Sequence, residues 1–472
     1  MQIPIISGIF TDATGDYRTS YPRNLVPVPK QTGVSTEYLK TADGLSLFTT
    51  GPGIDRGGIV WNDYHYRVMG TRLVGISVTG AIEDIGEITG SGLVSMDYSF
   101  DRLAIVGDQK MWYLTINSGT GVKTLTQVTD TDLGKPIDVT WIDSYFMMTD
   151  GENMIVTDLT DPTIIDPLKY GSSEGDPDPV KGLLKFHNEI FAFNRYTIEV
   201  FDNVGGTGFP FSRVPSGMVD RGCVGTYAKC LYGDSMAFCG SARNEAVSIF
   251  VTNGGNATKI ATREIDAILA KYRDNELNQT VVEYRSQDAH KFLYVHLPNE
   301  TLVYDENASQ VLQAPAWHIL SSSADSQSKY RGRNFVYAYN KWLCGDFFDG
   351  RIGIIDSTVA AQYGEIAGWQ FDTKLGYAEG KSVIVHRMEL SGLMGRAPFG
   401  DKPTVFASYT EDGMTWSDEK AASMGRTGDR QHRLQWRRLG VFRNVRGMRF
   451  RGANKSPIAI ARLDADMEQL YA

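Results

Sequence analysis

Arginine is the residue type whose spacing first suggests chemistry in this sequence. The stretch QHRLQWRRLGVFRNVRGMRFRGANK, residues 431–455, holds seven arginines, and no carboxylate falls between Arg430 and Lys455. A guanidinium is planar, permanently charged and forked, so it can pair with a carboxylate or a phosphate through two parallel bonds. A row of them suits a nucleic-acid groove, an acidic protein face or ion pairs within the chain. The protein as a whole is acidic, with 47 Lys+Arg against 56 Asp+Glu and a net charge of −9, which argues against a uniformly basic DNA-binding surface. Twelve Asp/Glu and only two Lys lie between Asp130 and Asp178. Such opposed faces favour protein partners, and Arg437, Arg438, Arg443, Arg446 and Arg449 are the candidate interface residues. The alternation is imperfect: Arg437, Arg443 and Arg449 lie opposite in parity to Trp436, Phe442, Met448 and Phe450, while Arg438 and Arg446 fall on the aromatic parity unless a bulge or turn resets it. The stretch reads as a hairpin or two successive strands in which Trp436, Leu439, Phe442, Val445, Met448 and Phe450 largely fill a core.

Other chemistry is weakly supported. SYTEDGMTWS, from Ser408, resembles the Asp-box turn of sialidase propellers, with Asp412, Gly413 and Trp416 as its structural residues. In that turn the aspartate caps backbone N–H groups and the tryptophan packs beneath, so the motif is a folding device. A glycosidase needs two convergent carboxylates, and a sialidase needs an arginine clamp as well. Asp55 with Arg56, Asp101 with Arg102 and Asp220 with Arg221 are the adjacent pairs that a propeller could gather, though each also reads as a strand start or surface turn. The seven histidines are scattered, and Cys223, Cys230, Cys239 and Cys344 lack metal or redox spacing. They read as small buried residues in strands. No phosphate-binding GxxxxGK[ST] is present. No metal, cofactor, catalytic set, membrane span or signal peptide is expected.

The elements that would position these residues are short strands. Segments beginning at Asn62, Asp101, Asp143, Asn188, Asp234, His290 and Arg333 each run through alternating apolar positions, turn at Gly, Asn or Asp, and resume. Their spacing, 39 to 56 residues, matches the four-stranded blades of a β-propeller, of which only the central hairpin would look so regular. The fold class expected is all-β: a propeller with a small helical insertion and a C-terminal antiparallel β region. TREIDAILAKYRDNEL supplies the insertion near 262–278, with Ile265, Ile268, Leu269 and Tyr272 on one face. The domains expected are an extended arm and first strands at 1–50, propeller repeats at 51–360, and the antiparallel region at 361–472, either closing the propeller or standing apart. The Asp-Pro steps in TDPTIIDP and SEGDPDPV read as exposed acidic turns between repeats.

The chain is similar to the tail-hub, or packaged-DNA-stabilisation, proteins of short-tailed double-stranded DNA bacteriophages of the Salmonella-phage type. DYRTSYPRNLVPVP at 16–29, LSLFTTGPGIDRGGIVWNDYHYRVMGTRLVGI at 45–76 and GSGLVSMDYSFDRLAIVG at 90–107 carry the resemblance. AHKFLYVHLPNETLVYD at 289–305, YTEDGMTWSDEK at 409–420 and WRRLGVFRNVRGMRFR at 436–451 continue it in the same order. It implies a non-enzymatic virion protein of the tail, made in the host bacterial cytoplasm. Six copies would form a ring below the portal-adaptor protein, extend the DNA channel, retain packaged DNA and support the tail needle and the tailspikes or fibres. Contact with double-stranded DNA would be transient and non-specific. YPRNLVPVP would be an extended arm docked along a surface, because its three prolines oppose helix. A sialidase-like propeller acting on carbohydrate and a propeller interaction scaffold outside virions are the competing readings.

Overall fold

The computed structural model describes residues 1–30 and 32–470. Alternating apolar residues and tight turns build it strand by strand. In five places the first and second strands of a repeat are joined by two residues with positive φ: Asn62-Asp63, Asp143-Ser144, His187-Asn188, Asp288-Ala289 and Tyr339-Asn340. This is the turn geometry whose twist matches that of the flanking strands, and Asn and Asp tolerate it best among residues bearing a Cβ. It fixes the register of each hairpin, as in Trp61 opposite Tyr64 or Ile142 opposite Tyr145.

Seven antiparallel sheets result, at 55–87, 95–127, 138–172, 180–213, 222–259, 281–320 and 332–356. We call them blades 1 to 7. Their first strands adjoin one another in sequence, and that of blade 7 also adjoins that of blade 1, so the sheets radiate from one axis. The expected β-propeller is therefore present. Each hairpin anticipated from sequence lies inside one blade. Both faces of the middle strands are covered by neighbouring blades: Ala104, Val106, Met111 and Tyr113 of blade 2 pack on Val139, Phe146, Met148 and Ile155 of blade 3. Blade 7 has only three consecutive strands of its own. Its outer strand is Gly44–Thr50, which pairs antiparallel with Arg351–Asp356 and so closes the ring with the beginning of the chain.

The helical insertion is present as α1 (Arg263–Leu269) and α2 (Asp274–Leu277). Thr262 caps α1, while Ile265 and Leu269 are fully buried beneath it. The sequence suggested no other helix, yet α3 (Glu306–Leu312) stands between two strands of blade 6. Asp305 ends the preceding strand and also accepts the Ala308 N–H, so a strand runs straight into a helix cap.

Beyond the propeller two sheets stack as a β-sandwich. One has the strand order Leu25–Val28, Tyr38–Thr41, Ala459–Leu470, Ser382–Gly392, Leu434–Arg437; the other has Gly368–Asp372, Val445–Ala453, Thr404–Thr410, Lys420–Ser423. Trp369, Phe371, Leu390, Trp436, Met448, Phe450 and Leu463 are buried between them. Two of these strands come from the beginning of the chain. The segment YPRNLVPVP is extended, and it lies along this chain's own domain boundary. Arg23 N–H donates to Gln370 O at 2.8 Å on the sandwich side, and Asn24 N–H to Ile319 O at 2.8 Å on blade 6. The Asn24 side chain repeats the bridge, donating to Gly368 O at 2.6 Å and accepting from Ser321 N at 2.8 Å.

Candidate protein interface

The C-terminal arginines sit on the sandwich, and the strand pattern sorts them. Leu434–Arg437 forms the edge of one sheet, pairing with Ser382–Gly392. The chain then turns through Arg438 and Gly440, with φ 56° and 80°, before Val441–Phe442 rejoins the same strand. The same parity is buried on both sides of that turn, and among the arginines only Arg438, within it, departs from the alternation. Trp436, Leu439, Phe442, Met448 and Phe450 go into the core as expected, whereas Val445 is only partly buried.

Arg437, Arg438 and Arg443 are exposed. The only side-chain bond of Arg437 among the described residues is a 3.3 Å donation to Gln435 Oε1. Arg437 faces Arg387 across the strand pair, and Lys420 Nζ donates to the Arg438 carbonyl at 2.6 Å. Positive charge is thus concentrated along a sheet edge, where it also discourages edge-to-edge pairing.

Arg446 and Arg449 are not free for a partner. Arg446 falls on the aromatic side of its strand and is buried, donating to Leu439 O at 2.6 Å, Val441 O at 3.2 Å and Glu411 Oε1 at 2.5 Å. Its guanidinium lies over the rings of Tyr409 and Phe442. Arg449 forms a fork on Asp372, 2.8 Å to each oxygen, and stacks 3.9 Å from the ring centre of Trp416. Both therefore hold the sandwich together. Arg433 and Arg451 are likewise matched, with Glu389 and Glu419.

The Asp412 turn forms as its sequence suggests, except at the tryptophan. Asp412 Oδ1 accepts the N–H groups of Met414 and Thr415, each at 2.8 Å, and Oδ2 accepts the Thr415 hydroxyl at 2.7 Å. These bonds, the Thr415 hydroxyl first, hold its carboxyl well below the usual range. Trp416 is half-buried against Arg449 and does not enter the core. Gly413 has φ +77°, and a Cβ there would meet Thr11 Oγ1 at 2.4 Å. Thr11 N–H donates to Gly413 O at 3.0 Å. The turn thereby seats the ribbon Gly8–Thr11/Tyr17–Ser20, whose far strand reaches α1 through Thr19 N–H on Glu264 Oε1 at 3.2 Å.

The adjacent Asp/Arg pairs do not converge. Asp55 is fully buried and pairs with Arg67 at 2.7 Å, while Arg56 donates to the carbonyls of Gly70, Ile88, Thr89 and Gly92. Asp101 pairs with its neighbour Arg102 at the surface, and Arg221 pairs with Glu245. Near the axis stands Asp138, which no motif singles out. Its Oδ1 accepts from Ser95 Oγ of blade 2 at 2.5 Å. Its Oδ2 accepts from Leu183 N of blade 4 at 2.8 Å and Lys229 Nζ of blade 5 at 2.7 Å. Four blades meet on one carboxylate. No local pattern could reveal this, because every partner is distant in the chain. The acidic segment 158–176 lies at the outer edge of blade 3 and the turn that follows. Asp158, Asp161 and Asp166 cap their own turns beside exposed Leu159, Ile164 and Leu168. All four cysteines are free and lie in strands. Among the described residues no three His, Cys, Asp or Glu side chains gather as a metal would require.

Residues 1–360 match the family described as Bacteriophage P22 Gp10, beta-propeller, and residues 368–468 match Bacteriophage P22 Gp10, beta-sandwich. The chain belongs to the P22 Gp10 family. The matches divide where the last blade ends, although strands Leu25–Val28 and Tyr38–Thr41, inside the first match, join the sandwich. A curated relative, tail hub protein gp10 of Salmonella phage P22, is 29% identical over 476 residues, covering 98% of each chain. Among solved structures the WD40 domain of Neurospora crassa Pan2 has a TM-score of 0.42 at 9% identity, covering 66% of this chain and 96% of that one. The N-terminal domain of Nup159 has a TM-score of 0.40 at 7% identity, covering 69% and 97%.

Proposed function

We propose that the chain is the hub of a short phage tail. Six copies close into a ring below the portal-adaptor protein, extend the channel for DNA, help retain the packaged genome, and support the needle and the tailspikes or fibres. The observation that carries this reading is the end-to-end match to a protein named as a tail hub. The surface chemistry is compatible with it. A ring requires two different patches on each copy, one meeting the other on its neighbour. Exposed Arg437, Arg438 and Arg443 on the sandwich offer a cationic patch, and blade 3 offers an acidic one around Leu159, Ile164 and Leu168. Forked arginines on carboxylates, with apolar side chains at the centre, are the usual composition of a specific contact.

This work is geometric. It needs neither cofactor nor catalytic group, and the Asp412 turn, which only caps its own backbone, gives no support to an enzymatic reading. DNA passing through the ring meets charge without base readout, so its contacts are brief and independent of sequence. The protein takes its place in the virion tail after synthesis in the host cytoplasm.

Sedimentation velocity of the chain mixed with its adaptor tests the arginine assignment. Replacing Arg437 and Arg438 together by alanine is expected to weaken assembly about tenfold, with unchanged far-UV circular dichroism. Assembly equal to that of the parent would reject it.

A further inference from the structure

On one face of the propeller, loops leading into the first strands of blades 2, 6 and 7 meet the turns after the second strands of blades 6 and 7. They enclose a cavity of about 410 Å3. Tyr227, Gln279, His296, Lys329, Arg333 and Phe347 are in its wall. Three of these carry donors that have no acceptor among the described residues. His296 is 3% exposed, and its Nε2 makes no hydrogen bond; when Nδ1 accepts from Thr301 Oγ1 at 3.2 Å, Nε2 is the protonated nitrogen. Arg333 Nε is buried and unpartnered. Lys329 Nζ lies 4.1 Å from the centre of the Phe347 ring, and the Arg333 guanidinium lies 4.9 Å from the same ring.

The nearby carboxylates do not answer these donors. Glu283 accepts the N–H groups of Asn334 at 2.8 Å and Phe335 at 2.7 Å, and its nearer oxygen is 3.6 Å from His296 Nε2. Asp55 is neutralised by Arg67. Burial, and after it the charge of Arg333, pushes the Lys329 ammonium down to about 8, the state of a cation waiting for a counter-charge. Unmet buried donors are costly, and two of them beside an unpaired lysine mark a place for an acceptor with more than one oxygen.

We infer that this cavity binds a carboxylate carried by a protein segment, an acidic side chain or a chain end, between Lys329, Arg333 and His296. Phe347 and Tyr330 give the flanking chain an apolar wall beside the buried donors. The site lies on the propeller, apart from the sandwich arginines, so it is independent of the ring contact proposed above.

The test uses the full-length chain and a fluorescein-labelled hexaglutamate peptide, followed by anisotropy, with inorganic phosphate and a 12-mer single-stranded oligodeoxynucleotide as competitors. Lys329→Gln is chosen because this side chain makes no hydrogen bond that the fold depends on. Lys135→Gln, at an exposed lysine on the loop between blades 2 and 3, controls for general surface charge. The peptide is expected to bind the parent and the Lys135 variant equally, to lose about tenfold in affinity with Lys329→Gln, and to be displaced poorly by either competitor. Absence of peptide binding, equal binding by Lys329→Gln, or preferential displacement by the oligonucleotide or by phosphate would each overturn the inference.

Discussion

Five arginines that look alike in sequence perform two different tasks. Arg446 and Arg449 follow the inward or half-buried positions of their strand and meet their own chain; Arg437, Arg438 and Arg443 stand at an edge and two turns. Alternation puts Arg446 on the buried side with Trp436, Phe442, Met448 and Phe450, but it could not place Arg438, which shares that parity and is exposed because it stands in the left-handed turn itself. Arg446→Ala removes donors from the Leu439 and Val441 carbonyls in a buried site, and a loss of about 2–4 kcal/mol is expected in chemical denaturation. Arg443→Ala is expected to stay within about 0.5 kcal/mol. A second effect belongs to single residues. His65, His296 and His318 are almost fully buried; burial pushes the last two down to about 3 and His65 well below its usual value. The unfolded chain therefore takes up protons that the folded chain refuses. The contribution is complete above about pH 6.5 and declines as pH falls, by at most about 1.4 kcal/mol per pH unit for each histidine. Asp97, Asp178, Glu283 and Asp346, raised by burial, act in the opposite sense. Denaturation midpoints should drop between pH 7.5 and 5.5, and a flat profile would contradict the assignment.

At the scale of elements, the middle hairpin of each blade was legible because its two strands are apolar on both faces and its turn uses Asn, Asp or Gly. The outer strands were not. Lys123–Gln127, for example, is largely exposed and carries no apolar pattern to read. The strand that closes the ring was hidden for another reason: LSLFTT pairs with Arg351–Asp356 from the opposite end of the sequence, and no local signal reports so distant a pairing. The short α3 escaped because its cap, Asp305, is also the last residue of a strand. If Gly44–Thr50 is an integral part of blade 7, then Leu45, 1% exposed, behaves as a core residue. Leu45→Ala is expected to lower stability by about 2–4 kcal/mol in urea titration. A change below about 0.5 kcal/mol would mean that the segment lies on the blade without supporting it.

At the scale of the molecule, the first residues join what the rest of the chain builds. Residues 22–24 bond to blade 6 and to the sandwich at once, and the Gly8–Thr11/Tyr17–Ser20 ribbon ties the Asp412 turn to α1. The first residues thus hold the propeller and the sandwich to each other. Membership of the tail-hub family was readable only through ordered similarity along the whole sequence, since no catalytic or ligand motif announces it. The most direct measurement is electron cryo-microscopy of the purified chain mixed with its portal-adaptor protein. Class averages showing six copies around an open centre are the expected result. A chain that remains monomeric beside the adaptor, or a closed assembly without a passage, would contradict the account.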